Sequence, residues 1–138
     1  MILDASVVLA WLLQEPGSDA AERMLSRGDL AAPSIIFAEV GHVLTKQVRR
    51  RAMTPDAAFL AWRLFAVAPL RTVSIEDLGQ RSLELSIAVH GVYYDCLYLA
   101  LAESEQDVFV TSDESFVRAV RATSLPGLSG LARTLAEI

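Results

Sequence analysis

The sequence predicts an α/β fold in which a central parallel β-sheet lies between helices on both of its faces. Three observations lead there. Short apolar runs of β type alternate with longer stretches whose apolar residues recur at helical spacing. Proline, glycine and small polar residues mark the changes from one to the other. No repeat, low-complexity tract or long polar linker interrupts the 138 residues, so 1–138 reads as a single domain with room for a hydrophobic core. Strands regularly separated by helices pair in parallel and are covered on both faces.

Taken in order, residues 1–3 form a short strand that ends at Asp4. Residues 6–13 are apolar nearly all round, which predicts a buried helix, and Glu15, Pro16 and Gly17 break it. A second helix over 18–26 turns Ala20, Ala21, Met24 and Leu25 inward, and a second strand covers 30–32. Pro33 and Ser34 open a long helix to about residue 51, with Ser34 available as its N-cap. Thr54 followed by Pro55 is the favoured cap-then-proline start of the next helix, to about residue 67. A third strand at 70–73 leads into a helix from about 74 to 89, closed by His90 and Gly91. Residues 94–105 form a helix with Asp95 in its first turn, 107–111 the clearest strand, and 114–122 a further helix. After Pro126 and Gly127 a final helical stretch is expected from about residue 129.

Composition narrows the function classes. The hydrophobic fraction is 53% and the mean hydropathy +0.38, so either the core is large or a partner covers apolar surface. No apolar stretch is long enough to span a bilayer, and the Met1–Asp4 start lacks the basic segment of a signal peptide. A soluble cytoplasmic protein is expected. The single cysteine, Cys96, excludes an intrachain disulfide and a cysteine-based zinc site, and reads as a small core residue. Two histidines, His42 and His90, leave little for a histidine-ligated metal. A net charge of -5 argues against a nucleic-acid binder unless clustered carboxylates are neutralised by cations.

Four acids fit that exception. Asp4 directly follows the first strand, Asp113 lies two residues past the strand ending at Thr111, and Asp95 opens a helix. Glu39 lies a turn into the long helix among Ile35, Ile36, Phe37, Ala38 and Val40, where a charge has no obvious solvated role. Each aspartate also has a plain structural reading as an N-cap or first-turn acid, and a cap can still ligate through its outer oxygen. In parallel sheets, however, ligands bind beyond the carboxyl ends of the strands. Carboxylates gathered there repel one another and take up protons unless a cation intervenes. Oxygen-only donors suit Mg²⁺ or Mn²⁺ rather than zinc, and such ions activate water and orient a phosphodiester. Phosphodiester hydrolysis without a covalent protein nucleophile fits this set.

At these residues the sequence resembles the PIN-domain family, and within it the VapC-type toxins of VapBC toxin–antitoxin pairs. The matching segments are Leu3-Asp4-Ala5-Ser6 with its apolar helix, Pro33-Ser34 leading to Ala38-Glu39-Val40, residues 94–102 from Tyr94-Asp95-Cys96 onward, and Val110-Thr111-Ser112-Asp113. Order, spacing and total length all agree. The resemblance implies a three-layer α/β/α PIN-like fold and Mg²⁺- or Mn²⁺-dependent endoribonuclease activity. It implies a homodimer and a cognate VapB-type antitoxin whose C-terminal segment occupies the active-site groove, where an arginine could pair with the carboxylates. It also implies that Asp4, Glu39, Asp95 and Asp113 are the catalytic and metal-binding residues, supported by the hydroxyls of Ser6 and Thr111. For those two hydroxyls, helix capping or strand-end hydrogen bonding is the plain alternative.

Lys46, Arg49, Arg50 and Arg51 form the one basic cluster; favourable charge at a helix C-terminus on a solvated surface is its plain reading, and contact with RNA phosphates its functional one. Trp11, Phe59, Trp62 and Phe65 read as core or dimer interface. The rival to an enzyme is a non-catalytic PIN-fold binding module acting through its dimer or partner. Other aspartate-based phosphoryl-transfer enzymes fit less well. One class needs a second aspartate two residues after the first, where Ser6 stands, and another needs paired acids near the first strand.

Overall fold

The structure is a computed structural model describing Met1 to Ile138. Its five strands are β1 (Ile2–Leu3), β2 (Leu30–Pro33), β3 (Leu70–Val73), β4 (Phe109–Thr111) and β5 (Ala132–Thr134). They pair in parallel throughout, in the order β3-β2-β1-β4-β5. Seven helices flank the sheet: α1 (Ala5–Leu12), α2 (Ser18–Leu25), α3 (Ile36–Arg49), α4 (Pro55–Ala66), α5 (Ile75–Val89), α6 (Tyr93–Glu105) and α7 (Glu114–Ala122). This is the three-layer α/β/α architecture expected from the alternation of elements. No single helix is long and apolar enough to cross a membrane.

Strand pleating divides the core in two, because successive side chains point to opposite faces. Ile2, Ala31 and Phe109 enter a cluster of 27 buried residues that also takes in α3 to α7. Leu3, Leu30 and Val110 enter a cluster of nine, with Val7, Met24 and Leu25 from α1 and α2. Helix α6 is enclosed on all sides over Cys96 to Ala102, matching its continuous apolar sequence. Cys96 is a buried free thiol, as its composition reading required.

Helix boundaries follow local chemistry. The Thr54 hydroxyl accepts from the Ala57 N–H at 3.2 Å, with Pro55 in the first turn. Ser74 caps α5 through the Glu76 N–H, and His90 closes it in the left-handed conformation at φ 52°. Two expectations are corrected. Ser34 does not cap α3; its N–H donates to the Val73 carbonyl at 2.8 Å, prolonging the β2–β3 pairing, and the helix starts after Ile35. The segment from residue 129 is not helical. Ala132–Thr134 forms the edge strand β5 beside β4, with Ala132 buried and Arg133 exposed, before a short 3₁₀ turn. Pairing with β4 outweighs the weak local helical preference of so short a segment.

The aromatic residues of α4 divide. Phe65 is buried, whereas Phe59 and Trp62 are 61% and 38% exposed. Trp62 and Phe65 pack around Phe37, with centroids 5.2–6.3 Å apart.

The strand order positions the site. From β1 the chain builds outward through β2 to β3, then returns to β4 on the other side of β1. The reversal point lies between β1 and β4, where the two strands diverge into helices on leaving the sheet, and open α/β sheets bind ligands there.

Candidate active site

The ends of β1 and β4 are joined by a network of short side chains. The Asp4 N–H donates to the Val110 carbonyl at 3.1 Å, holding Asp4 at the sheet edge before α1 begins. Its carboxylate is buried and forms no side-chain cap of α1. Instead, Oδ2 accepts from the Thr111 hydroxyl at 2.6 Å and the Ser6 hydroxyl at 2.9 Å. Thr111 Oγ1 in turn accepts from the Asp113 N–H at 3.1 Å, and Ser6 Oγ from the Ser112 N–H at 3.0 Å. Each hydroxyl thus ties Asp4 to the loop leaving β4. Burial raises the Asp4 carboxyl above the usual aspartate range, and the two hydroxyl bonds only partly oppose it.

Asp113 is an N-cap, as one of its two readings proposed. Its Oδ1 accepts from the Ser115 N–H, the Phe116 N–H and the Ser115 hydroxyl at 2.7–3.0 Å. The Ser115 hydroxyl bond and then the Phe116 N–H hold this carboxyl below the usual range, so it remains an anion. Its Oδ2 makes no hydrogen bond within the chain.

Glu39 lies in the first turn of α3, half-buried, and its Oε2 accepts a hydrogen bond from the Tyr98 hydroxyl. Ile36 and Val40 beside it are buried, but Phe37 and Ala38 are exposed, so Glu39 sits on the border of the apolar face. Burial raises its carboxyl, the Tyr98 bond opposes the rise, and Asp4 adds to it. Tyr98 is wholly buried, with its ring stacked on Phe109 at 5.5 Å. Burial and the nearby carboxylates drive its hydroxyl far above the ordinary tyrosine range, so it serves as a permanent donor. Sequence reasoning gave Tyr98 no role. The available signal was its spacing: three residues after Asp95, it shares that residue's face of α6.

Asp95 feels the charge of all three other acids. Its carboxylate accepts no hydrogen bond and is pushed up to about 7, first by burial and then by the charges of Asp4, Asp113 and Glu39. All four acids therefore share one neighbourhood. They do not form a ready-made cage, because no three acid side chains are drawn close enough together to hold a cation. The donors themselves fit a hard divalent cation: they are all oxygens, and the one without hydrogen bonds is the one most disturbed by its neighbours' charge.

A cleft of about 610 Å³ opens beside the acids. Asp4, Ser6 and Glu39 line it with His42 and Tyr94, and apolar side chains of α1 and α3 supply the remainder. The basic residues lie elsewhere. Lys46, Arg49, Arg50 and Arg51 are all exposed at the far end of α3. At a rise of about 1.5 Å per residue they stand roughly 10–18 Å from Glu39 along the helix. Arg49 borders a separate apolar groove of about 460 Å³ between α3 and α4, with Leu44, Val48, Phe59 and Trp62.

A family model for the PIN domain matches residues 1–122, which span β1 to α7 and all four acids. The chain belongs to the PIN-domain family. Two solved structures with this fold are a toxin–antitoxin complex from Klebsiella pneumoniae and VapBC2 from Rickettsia felis bound to a DNA fragment from its promoter. The first is 18% identical with a TM-score of 0.66, over 99% of this chain and 98% of that one. The second is 17% identical with a TM-score of 0.69, over 96% of each. No curated protein sequence matches the chain.

Proposed function

We propose that the protein is a Mg²⁺- or Mn²⁺-dependent endoribonuclease, the toxin of a VapBC-type toxin–antitoxin pair, acting on RNA in the cytoplasm as one domain over residues 1–138. The observation that carries this reading is the convergence of Asp4, Glu39, Asp95 and Asp113 at the strand-reversal point, where Ser6, Thr111 and Tyr98 fix two of the carboxylates. A divalent cation relieves the mutual repulsion of such a set without protonating it.

In this reading Asp4, Glu39, Asp95 and Asp113 are the catalytic acids and hold the metal, which when bound supplies an activated water and offsets charge on the leaving oxygen. Ser6 and Thr111 fix Asp4 through Oδ2 and leave Oδ1 for the ion. The Tyr98 hydroxyl fixes one oxygen of Glu39. Asp113 uses Oδ1 to cap α7, and its Oδ2 remains available. Lys46, Arg49, Arg50 and Arg51 take phosphates of RNA flanking the cut, which offsets the overall charge of -5. A cognate VapB-type antitoxin and a second copy of the chain cover the exposed apolar side chains of α4 and α5, among them Phe59, Leu60, Leu83 and Ile87.

Support comes from the family, from the all-oxygen donor set and from the likeness to structures of toxin–antitoxin complexes. The test is incubation of total RNA with the purified protein in Mg²⁺, Mn²⁺ or EDTA, beside Asp95→Asn. Cleavage that needs the ion and Asp95 is expected. A folded wild type that binds no divalent ion and cuts no RNA would instead favour a non-catalytic binding module.

A further inference from the structure

We propose that the cleft beside the acids carries its own nucleotide-binding wall, formed by His42 and Tyr94, which accepts one unpaired nucleotide of an RNA strand. The Tyr94 ring stacks on the base and the His42 imidazole donates to a phosphate or sugar oxygen. This inference rests on the ribonuclease reading and adds two residues to it that the acid constellation does not include.

The two side chains come from different helices and line the same space. His42 follows Glu39 by three residues on α3, which sets both on one helix face. It is exposed and makes neither a hydrogen bond nor an ion pair within the chain. No lysine or arginine lines the cleft, so His42 is the only lining side chain with a nitrogen donor to offer a phosphate oxygen there.

Tyr94 comes from the first turn of α6, next to Asp95. It is 55% exposed and its hydroxyl is unpartnered, so the fold makes little use of it. Tyr93 is held differently, with its hydroxyl donating to the Gly79 carbonyl at 3.4 Å. The Tyr93 ring braces Tyr94 nearly edge-on, at 6.2 Å and 67°. A large exposed aromatic ring that packs edge-on against a second ring and lines the cleft offers a stacking surface.

The remaining lining, including Leu9, Ile35 and Val43, is apolar and suits the face of a base better than a hydrated backbone. A volume of about 610 Å³ has room for a nucleotide and its flanking sugar. Stacking on a side chain requires a base released from its pair, so the wall selects unpaired strands over duplex.

The test uses the full chain and a fluorescent single-stranded RNA dodecamer of mixed sequence. Cleavage is followed with Mn²⁺ for wild type, Tyr94→Ala, Tyr94→Phe, His42→Ala and His42→Gln. Binding of the same dodecamer, alone or annealed to its complement, is followed by anisotropy, with each substitution placed in an Asp95→Asn background. Mn²⁺ affinity is measured by calorimetry for each single variant.

Tyr94→Ala is expected to weaken binding and raise KM about tenfold to hundredfold, the range of a lost base stack. Tyr94→Phe restores most of it. His42→Ala costs about tenfold, as expected for a lost hydrogen bond to a charged group, and His42→Gln costs less. Mn²⁺ affinity stays within twofold of wild type in all four variants, and the single strand outcompetes the duplex. Unchanged binding and cleavage in Tyr94→Ala and His42→Ala would overturn the proposal while leaving the nuclease reading intact. Equal affinity for strand and duplex would overturn it too, and so would parallel losses of Mn²⁺ and RNA affinity. A wild type that cuts no RNA at all would sink the nuclease reading, and the anisotropy measurements would still decide whether the wall exists.

Discussion

Replacing Asp95 with asparagine should make the metal-free protein more stable while disabling it. Asp95 is held at about 7 against an ordinary 3.8, by burial and by three like charges. That gap corresponds to about 4 kcal/mol acting against the ionised form in the folded chain. The folded-state value is raised, so the unfolded chain gives up this proton first. Stability is therefore greatest below about pH 4 for this group and is lost as pH rises through 7. Asparagine keeps the shape and removes the charge. After discounting for solvent screening of a carboxyl that is only partly buried, and for adjustment of the neighbouring acids, a gain of about 1–3 kcal/mol at pH 8 is expected, or roughly 3–10 °C in Tm. The assay is thermal unfolding of both proteins in EDTA between pH 5 and pH 8. Wild type should recover about half of its deficit by pH 5, and the variant should change much less. Mg²⁺ should raise the Tm of wild type at pH 8 and leave the variant nearly unmoved. Equal Tm values at pH 8, or a wild type that loses stability on mild acidification, would refute the placement of Asp95 among uncompensated charges.

Other perturbations separate structural from chemical duties. Asp113→Ala removes the cap of α7 along with an acid, so it should cost about 1 kcal/mol of stability, read by urea unfolding, in addition to activity. Asp113→Ser should restore the stability but not the cleavage. Tyr98→Phe removes the donor to Glu39, and Mn²⁺ affinity should fall about tenfold by calorimetry, because the carboxylate loses its fixed orientation. Neutralising Arg49, Arg50 and Arg51 together should weaken RNA binding at all sequences and flatten its salt dependence by roughly two to three ion equivalents. Mn²⁺ affinity should be unchanged in that variant.

Much of this arrangement was legible in the residues, for identifiable reasons. An apolar run that stops at Asp4, and another followed by Ser112 and Asp113, mark strand ends directly, and the parallel-sheet rule brings such ends together. Glu39 stood out because a charge interrupts an apolar helix. The third dimension supplied what remained. β5 is a strand because it lies along β4, and nothing within Ala132–Thr134 demands it. Ser34 has good capping chemistry, but its N–H is taken by Val73 of a strand remote in sequence. Tyr98 looked like one more buried aromatic residue until its hydroxyl met Glu39, 59 residues away in sequence. Periodicity showed that Phe59, Trp62 and Phe65 share a helix, but not that the first two lie open to solvent.

In the proposed function, Asp4, Glu39, Asp95 and Asp113 take up a divalent ion that drives RNA cleavage. The most direct measurement is a Mn²⁺ titration by calorimetry, with RNA cleavage followed in the same buffer, for wild type and Asp95→Asn. Cleavage should rise in step with ion occupancy in wild type, and occupancy and cleavage should both be lost in the variant. Full cleavage in EDTA, or full cleavage by a folded Asp95→Asn protein, would contradict it.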